Sequence, residues 1–408
     1  MIEREIYKRL WQEDIRQKPM VLISGPRQVG KTTLARDMIG SLYKNKVYFN
    51  WDVIENKKLL IENPYFFESI QRVDASVPLV IFDEIHKYKN WKRYLKGVYD
   101  QFAAEYQFIV SGSGRLDVSQ RGGESLAGRY LAMHLFPLTL AELASQRRSL
   151  QEFLAHPLSG FDMNPVQETR EIWANLSELS GFPEVYAKGE KNFWMKWSET
   201  YGRQIIREDM RSVSDIRRMD DIEILFSLLP SKVGSPVSMN NLAQDLQVSF
   251  DTVKQWLRLF DHFYLTFRLS PWSKKITRSL LKERKLYIYN YPTISQGAFR
   301  FENMVAVELL RAVSQWNEHG WGDFSLHYLR DKDKREVDFL LAKDHRPVLL
   351  VETKFSDDSA SENLKDFQSI LALPAVQLVN KENVFKLITH DRQKVLIVTA
   401  HRWLSSLP

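Results

Sequence analysis

The chain contains no cysteine, which excludes disulfides and thiolate metal sites. It also lacks any apolar run near the roughly 18 to 20 residues that a membrane-spanning helix requires. The opening Met1-Ile-Glu-Arg-Glu-Ile-Tyr-Lys-Arg-Leu10 mixes both charge signs with apolar residues at helical spacing. It has neither the apolar stretch nor the small-residue cleavage site of a secretory leader. Internal repeats and low-complexity tracts are absent too. Together these absences lead to the expectation of a soluble cytoplasmic protein with no membrane partner.

At 408 residues the chain is too long for one ordinary core, and about 150 residues per domain suggests two to four. An apolar share of 44%, with 11 Trp and 23 Phe, is ample for packed interiors. The net charge of +6 is modestly basic and compatible with a nucleic-acid partner. Lys274, Lys275, Arg278, Lys282, Arg284 and Lys285 face only Glu283 in one stretch, so the charge is locally concentrated.

Hydropathy patterning divides the chain into four regions. Residues 1–145 alternate short apolar strands (Met20 to Ser24, Val47 to Trp51, Leu79 to Phe82, Gln107 to Ser111, Tyr130 to Leu135) with amphipathic helices such as the one carrying Trp91, Tyr94, Leu95 and Val98. That rhythm predicts an α/β layer with a largely parallel sheet. Residues 146–219 turn helical and aromatic, interrupted at Ser180-Gly-Phe-Pro-Glu-Val-Tyr186, and are expected to form a helical lid. In 220–290, helices near Ile222 to Leu229, Met239 to Gln247 and Asp251 to Asp261 precede strands Tyr264 to Leu269 and Leu286 to Tyr289, the order of a winged helix-turn-helix. Residues 291–408 read as a second α/β domain, with a helix from Phe301 to Trp316 followed by several strands.

Gly25-Pro26-Arg27-Gln28-Val29-Gly30-Lys31-Thr32 satisfies the G-x-x-x-x-G-K-[ST] phosphate-loop pattern, directly after an apolar strand and before the helix that Thr33 opens. Loop N–H groups would face the phosphates of ATP, Lys31 would reach the β and γ phosphates, and the Thr32 hydroxyl would ligate Mg²⁺. The strand Leu79-Val-Ile-Phe82 ends in Asp83-Glu84, placing two carboxylates where α/β sheets bind ligands. Asp83 would hold the hydrated magnesium ion, and Glu84 would activate the attacking water. Ser111-Gly-Ser113 ends the next strand, either as a γ-phosphate sensor or as a turn with capping serines. Arg129, in Leu126-Ala-Gly-Arg129, is either a finger projecting toward a neighbouring subunit's nucleotide or a solvated surface residue. His86 reads as an ordinary loop or helix-start residue.

These strings, together with Gly181-Phe-Pro-Glu184, resemble a prokaryotic family of AAA+-like P-loop ATPases that carry a C-terminal domain of unknown function related to restriction endonucleases. The resemblance implies an AAA+-type core, a helical segment, a winged helix, a nuclease-like domain and assembly into a homo-oligomer. Relatives often place an aspartate near the position of Asn290, which this chain lacks.

Near the C-terminus, Glu336-Val-Asp338 lies one strand before Glu352-Thr-Lys354. Alternation puts Glu352 and Lys354 on one face, where Asp338 can join them, the pattern of a PD-(D/E)xK nuclease core. Asp338 and Glu352 could hold Mg²⁺, with Lys354 stabilising charge. Glu302 is either the helical acid that completes such a site or an exposed helix-start glutamate. Three functions remain open: an ATP-driven switch or motor on DNA, an ATP-gated DNA nuclease, and a scaffold ATPase that recruits a protein partner.

Overall fold

The computed structural model describes residues 2–13, 15–112, 114, 126–144, 148–161, 167–211, 218–273, 283–390 and 393–408. Ser113 and the basic residues Lys274, Lys275, Arg278 and Lys282 lie outside them. The chain divides into two compact units, Met1–Phe136 and Pro137–Pro408.

The first unit is built on five strands: β1 (Met20–Ser24), β2 (Lys46–Asn50), β3 (Leu79–Asp83), β4 (Gln107–Ser111) and β5 (Leu131–His134). All pair in parallel in the order β2-β3-β4-β1-β5. Every residue of β1, β3 and β4 is buried, as expected of a parallel sheet covered on both faces. Because side chains alternate, Met20, Leu22, Val80 and Phe82 enter one core with Phe67 and Phe108. Val21, Ile23, Leu79 and Ile81 enter the opposite one with Tyr7, Trp11 and Leu34. The sheet resembles that of a P-loop ATPase, and because its strands run parallel the carboxyl ends of β1, β3 and β4 share one edge.

The second unit begins with helices, among them Gln167–Leu179, Pro183–Lys188 and Lys191–Gln204. Three further helices follow, Met219–Leu228, Met239–Asp245 and Phe250–His262. Ser238 and Ser249 cap the latter two by accepting from the backbone N–H groups of Asn241 and Thr252. Val253, Trp256, Leu257 and Phe260 are buried along one face of the last, as their spacing predicts. An antiparallel pair, β6 (Thr266–Leu269) and β7 (Lys285–Ile288), then closes the segment.

The long helix Gly297–Glu318 leads into a six-stranded mixed sheet, in the order β12-β13-β11-β10-β9-β8. Its members are β8 (Phe324–Arg330), β9 (Glu336–Lys343), β10 (Arg346–Lys354), β11 (Ala375–Val379), β12 (Phe385–His390) and β13 (Gln393–Thr399). The outer edge of β7 is not open. Asn303 accepts from the Ile288 N–H at 2.9 Å and donates to the Ile288 carbonyl at 2.7 Å, as a neighbouring strand would. Among the described residues no helix is long and apolar enough to cross a membrane.

Candidate functional site

The loop after β1 supplies a row of backbone N–H groups because its residues take conformations most side chains avoid. Gly25, Gln28 and Gly30 all have positive φ, at 151°, 62° and 93°. At Gly25 a side chain is excluded outright, since a Cβ there would lie 2.2 Å from the Leu135 carbonyl oxygen. Val29 is fully buried beneath the loop, and the buried guanidinium of Arg4 donates to the Val29 carbonyl at 3.1 Å and to the Phe136 carbonyl at 2.7 Å. Nothing in the sequence marks Arg4 for this supporting role. Lys31 is buried and its ammonium donates back to the carbonyls of Gly25 at 3.1 Å and Pro26 at 2.6 Å.

Asp83, at the end of β3, is the hub. Its Oδ2 accepts from Thr32 Oγ1 at 2.7 Å and from the Tyr48 hydroxyl at 2.8 Å, while its Oδ1 accepts from Ser111 Oγ at 2.5 Å. The expected pair Thr32 and Asp83 thus meets, and Ser111 joins it as a partner of the aspartate. Tyr48 was not expected. Its clue is position, since a tyrosine on the strand beside β3, opposite Ile81, can reach the tip of that strand. Burial, then the Asp83 charge, push the Tyr48 pKa up to about 12, so the phenol remains a donor.

Glu84 has φ 55°, a left-handed conformation that costs a non-glycine residue about 1 kcal/mol or more. Its N–H donates to the Ser111 carbonyl at 2.9 Å, which pins the bend. Its carboxylate lies 3.4 Å from the Lys87 ammonium and 3.6 Å from His86 Nε2. Burial lowers the His86 pKa, which favours a neutral ring beside the acid. Arg129 makes two hydrogen bonds to Asp100, at 2.6 and 3.1 Å, on the helix Trp91–Phe102 of its own unit.

Thr32 Oγ1 and the Asp83 carboxylate form a compact set of hard oxygen donors, the chemistry Mg²⁺ requires, so the residues present fit that ion. Pro26, Arg27 and Gln28 complete the loop that runs from Gly25 to the helix Thr33–Ile39, which Thr33 opens.

In the second unit the register pairing Val351 with Phe339 sets Glu352 beside Asp338, as the sequence suggests. Glu352 Oε1 accepts from the Lys354 ammonium at 2.9 Å, and its Oε2 lies 3.3 Å from the Asp338 N–H. Asp338 Oδ2 accepts from the Thr353 N–H at 3.0 Å and from its hydroxyl at 2.6 Å. Glu302 belongs to the same cluster and is buried, which corrects the exposed helix-start alternative. Burial, then Asp338, raise its pKa to about 7 against the pull of Lys285 and Tyr287. Burial and Asp338 also raise the pKa of Glu352.

Lys285 is the second correction. Rather than adding to a basic surface stretch, it is 1% exposed, with its ammonium 3.1 Å from Glu302, 2.6 Å from Glu336 and 3.2 Å from Asp338. Burial pulls its pKa down, but Tyr287 and the three carboxylates outweigh that, leaving it well above the usual lysine value. The run of basic neighbours conceals this seat. The alternation of Glu336 with Asp338 on β9 was its only signal.

Residues 17–144 match the family model described as an AAA domain. Residues 170–291 and 298–400 match two domains of unknown function, DUF8612 and DUF4143. An uncharacterized protein of Mycobacterium bovis and one of Mycobacterium tuberculosis are each 20% identical to this chain over 288 residues, 71% of its length. The match takes in 58% of those curated relatives. A Walker-type ATPase of Pyrococcus abyssi aligns over 72% of this chain and 95% of its own, at 15% identity and a TM-score of 0.45. PCH-2 of C. elegans aligns over 62% and 66%, at 12% identity and a TM-score of 0.21. The AAA match agrees with the sheet order and phosphate loop, and supports ATP binding and hydrolysis by the first unit.

Proposed function

We propose that the chain is an AAA+-type ATPase whose cycle drives a DNA-associated switch or motor, with the C-terminal sheet acting as a binding module. The observation that carries the ATPase reading is the convergence of Thr32, Tyr48 and Ser111 on Asp83 at the mouth of a glycine-shaped loop. An incoming triphosphate gives the Lys31 ammonium a stronger partner than the loop carbonyls of Gly25 and Pro26. Thr32 and Asp83 would hold Mg²⁺, which supplies charge neutralisation on the phosphates. Glu84, next to Asp83 and held at a left-handed bend, accepts the proton of the attacking water. Ser111, fixed against Asp83, senses the γ-phosphate.

The DNA reading rests on the three helices and antiparallel pair of residues 219–288, the order of a winged helix, with Lys274, Lys275, Arg278, Lys282 and Arg284 between the two strands. Such a cluster neutralises backbone phosphates, the main source of non-specific affinity. The kinship of residues 291–408 with restriction endonucleases is part of the same proposal. Lys285 seated among the acids favours a binding role there over metal-dependent cleavage.

The test is ATP hydrolysis measured with and without DNA on wild type, Lys31→Ala and Glu84→Gln. Lys31→Ala should weaken ATP binding. Glu84→Gln should bind ATP normally and turn over about 10² to 10⁴ times more slowly, and hydrolysis that survives it refutes the base. DNA that neither binds at low salt nor alters the rate removes the DNA reading and favours a protein partner.

A further inference from the structure

We propose that Lys285 is a resident cation of the C-terminal acidic site, occupying the place a divalent metal ion would take among Glu302, Glu336 and Asp338. This goes beyond the ATPase reading and is independent of it.

Four carboxylates, Glu302, Glu336, Asp338 and Glu352, gather around the start of β9 and the end of β10, and Glu302 and Glu352 are almost entirely buried. Acids so close together cannot all ionise without a cation among them. A divalent ion is one solution. This chain supplies another, because the Lys285 ammonium reaches three of the four from a third direction.

The lysine is held there by more than its charge. Lys285 pairs with Leu269 across the hairpin and bridges to Pro236 on its other side, so its backbone is fixed from both flanks. The next inward-facing group, the Tyr287 hydroxyl, donates to the same Glu302 oxygen at 2.8 Å. Gly234 leaves room for the acid, since a Cβ there would lie 2.8 Å from Glu302 Oε2.

The oxygens a metal would need are engaged. Asp338 meets Lys285 with one oxygen and Thr353 with the other, and Glu352 meets Lys354 and the Asp338 N–H. A divalent ion demands several such oxygens at about 2.0 to 2.6 Å from one point. In this arrangement an ammonium with three N–H donors satisfies them instead. The PD-(D/E)xK pattern is therefore present in sequence, while its metal does not fit alongside Lys285.

The experiment is Mn²⁺ binding to the nucleotide-free full chain, followed by the electron paramagnetic resonance of free Mn²⁺. Lys285→Met keeps the length of the side chain and removes the charge. It should gain a Mn²⁺ site at least about tenfold tighter than anything wild type offers at these residues, and Lys285→Met with Asp338→Asn should lose it. No gain in a folded Lys285→Met overturns the proposal. Should Lys285→Met fail to fold, Asp338→Asn in the wild-type background decides alone. Unchanged Mn²⁺ binding supports Lys285 as the occupant, and loss of a bound Mn²⁺ equivalent overturns it.

Discussion

Asp83 accepts from three hydroxyls on three different segments, so its orientation is over-determined. Hydrogen bonds to a charged group contribute roughly 1.5 to 3 kcal/mol. Tyr48→Phe should therefore lower kcat by about tenfold or more with less change in KM, and steady-state ATPase kinetics that match wild type would remove Tyr48 from the site. Asn290 presents the opposite case, a departure from the resemblance that the structure explains. Its Oδ1 accepts from the Trp194 indole at 3.1 Å and its Nδ2 donates to Ser198 Oγ at 2.7 Å. A carboxylate keeps the first bond but loses the amide donor, so Ser198 must turn its own hydroxyl round to donate and a charge enters a half-buried site. Asn290→Asp is expected to cost about 1 to 3 kcal/mol, read as a lower urea midpoint, and an unchanged midpoint would contradict that account.

Elements with a strong periodic face were legible, and those whose identity depends on distant partners were not. The five parallel strands fall within a residue or two of their expected positions, and the three central ones, β1, β3 and β4, show why, since buried strands of a parallel sheet are near-continuous apolar runs. Strand β12 escaped notice because Phe385, Lys386 and Leu387 are all exposed, so no alternation marks it. The acidic cluster was half legible, since strand alternation brings Asp338, Glu352 and Lys354 together but cannot bring in Lys285 from a hairpin some fifty residues away. The helix Gly297–Glu318 carries a further polar load that its apolar stripe hides. Glu308 on it is buried and accepts from the Leu140 N–H at 2.6 Å. Burial raises its pKa from 4.5 to about 7, with Glu142 adding and Arg311 and the Leu140 and Ala141 N–H groups opposing. A raised acid binds more protons folded than unfolded, so its contribution is full below about pH 4.5 and is lost as pH rises through about 7. Wild type should lose up to about 1.4 kcal/mol per pH unit across that window relative to Glu308→Gln, measured by urea unfolding at each pH. Parallel pH curves for the two proteins would show that the acid is not perturbed.

For the whole molecule, the open question of assembly turns on Arg129. Its guanidinium is paired with Asp100 in its own unit, so service to a neighbour's nucleotide requires that pair to exchange. Solvent-screened surface pairs of this kind are worth little and do not forbid it. Mixing Arg129→Ala with Lys31→Ala protein should restore part of the ATPase rate if the arginine acts on another subunit, because a mixed assembly contains intact sites. No recovery, with the mass unchanged by ATP, would confine Arg129 to its partner Asp100. Any such assembly must also be selective about how copies meet. An unpaired strand margin is a template onto which a second chain can zip. At Ile288 the Asn303 amide already answers both backbone groups of that margin. The stretch 233–237 answers the neighbouring groups of Leu286 and Arg284 in the same way, so copies of this protein find no free ladder to extend along β7.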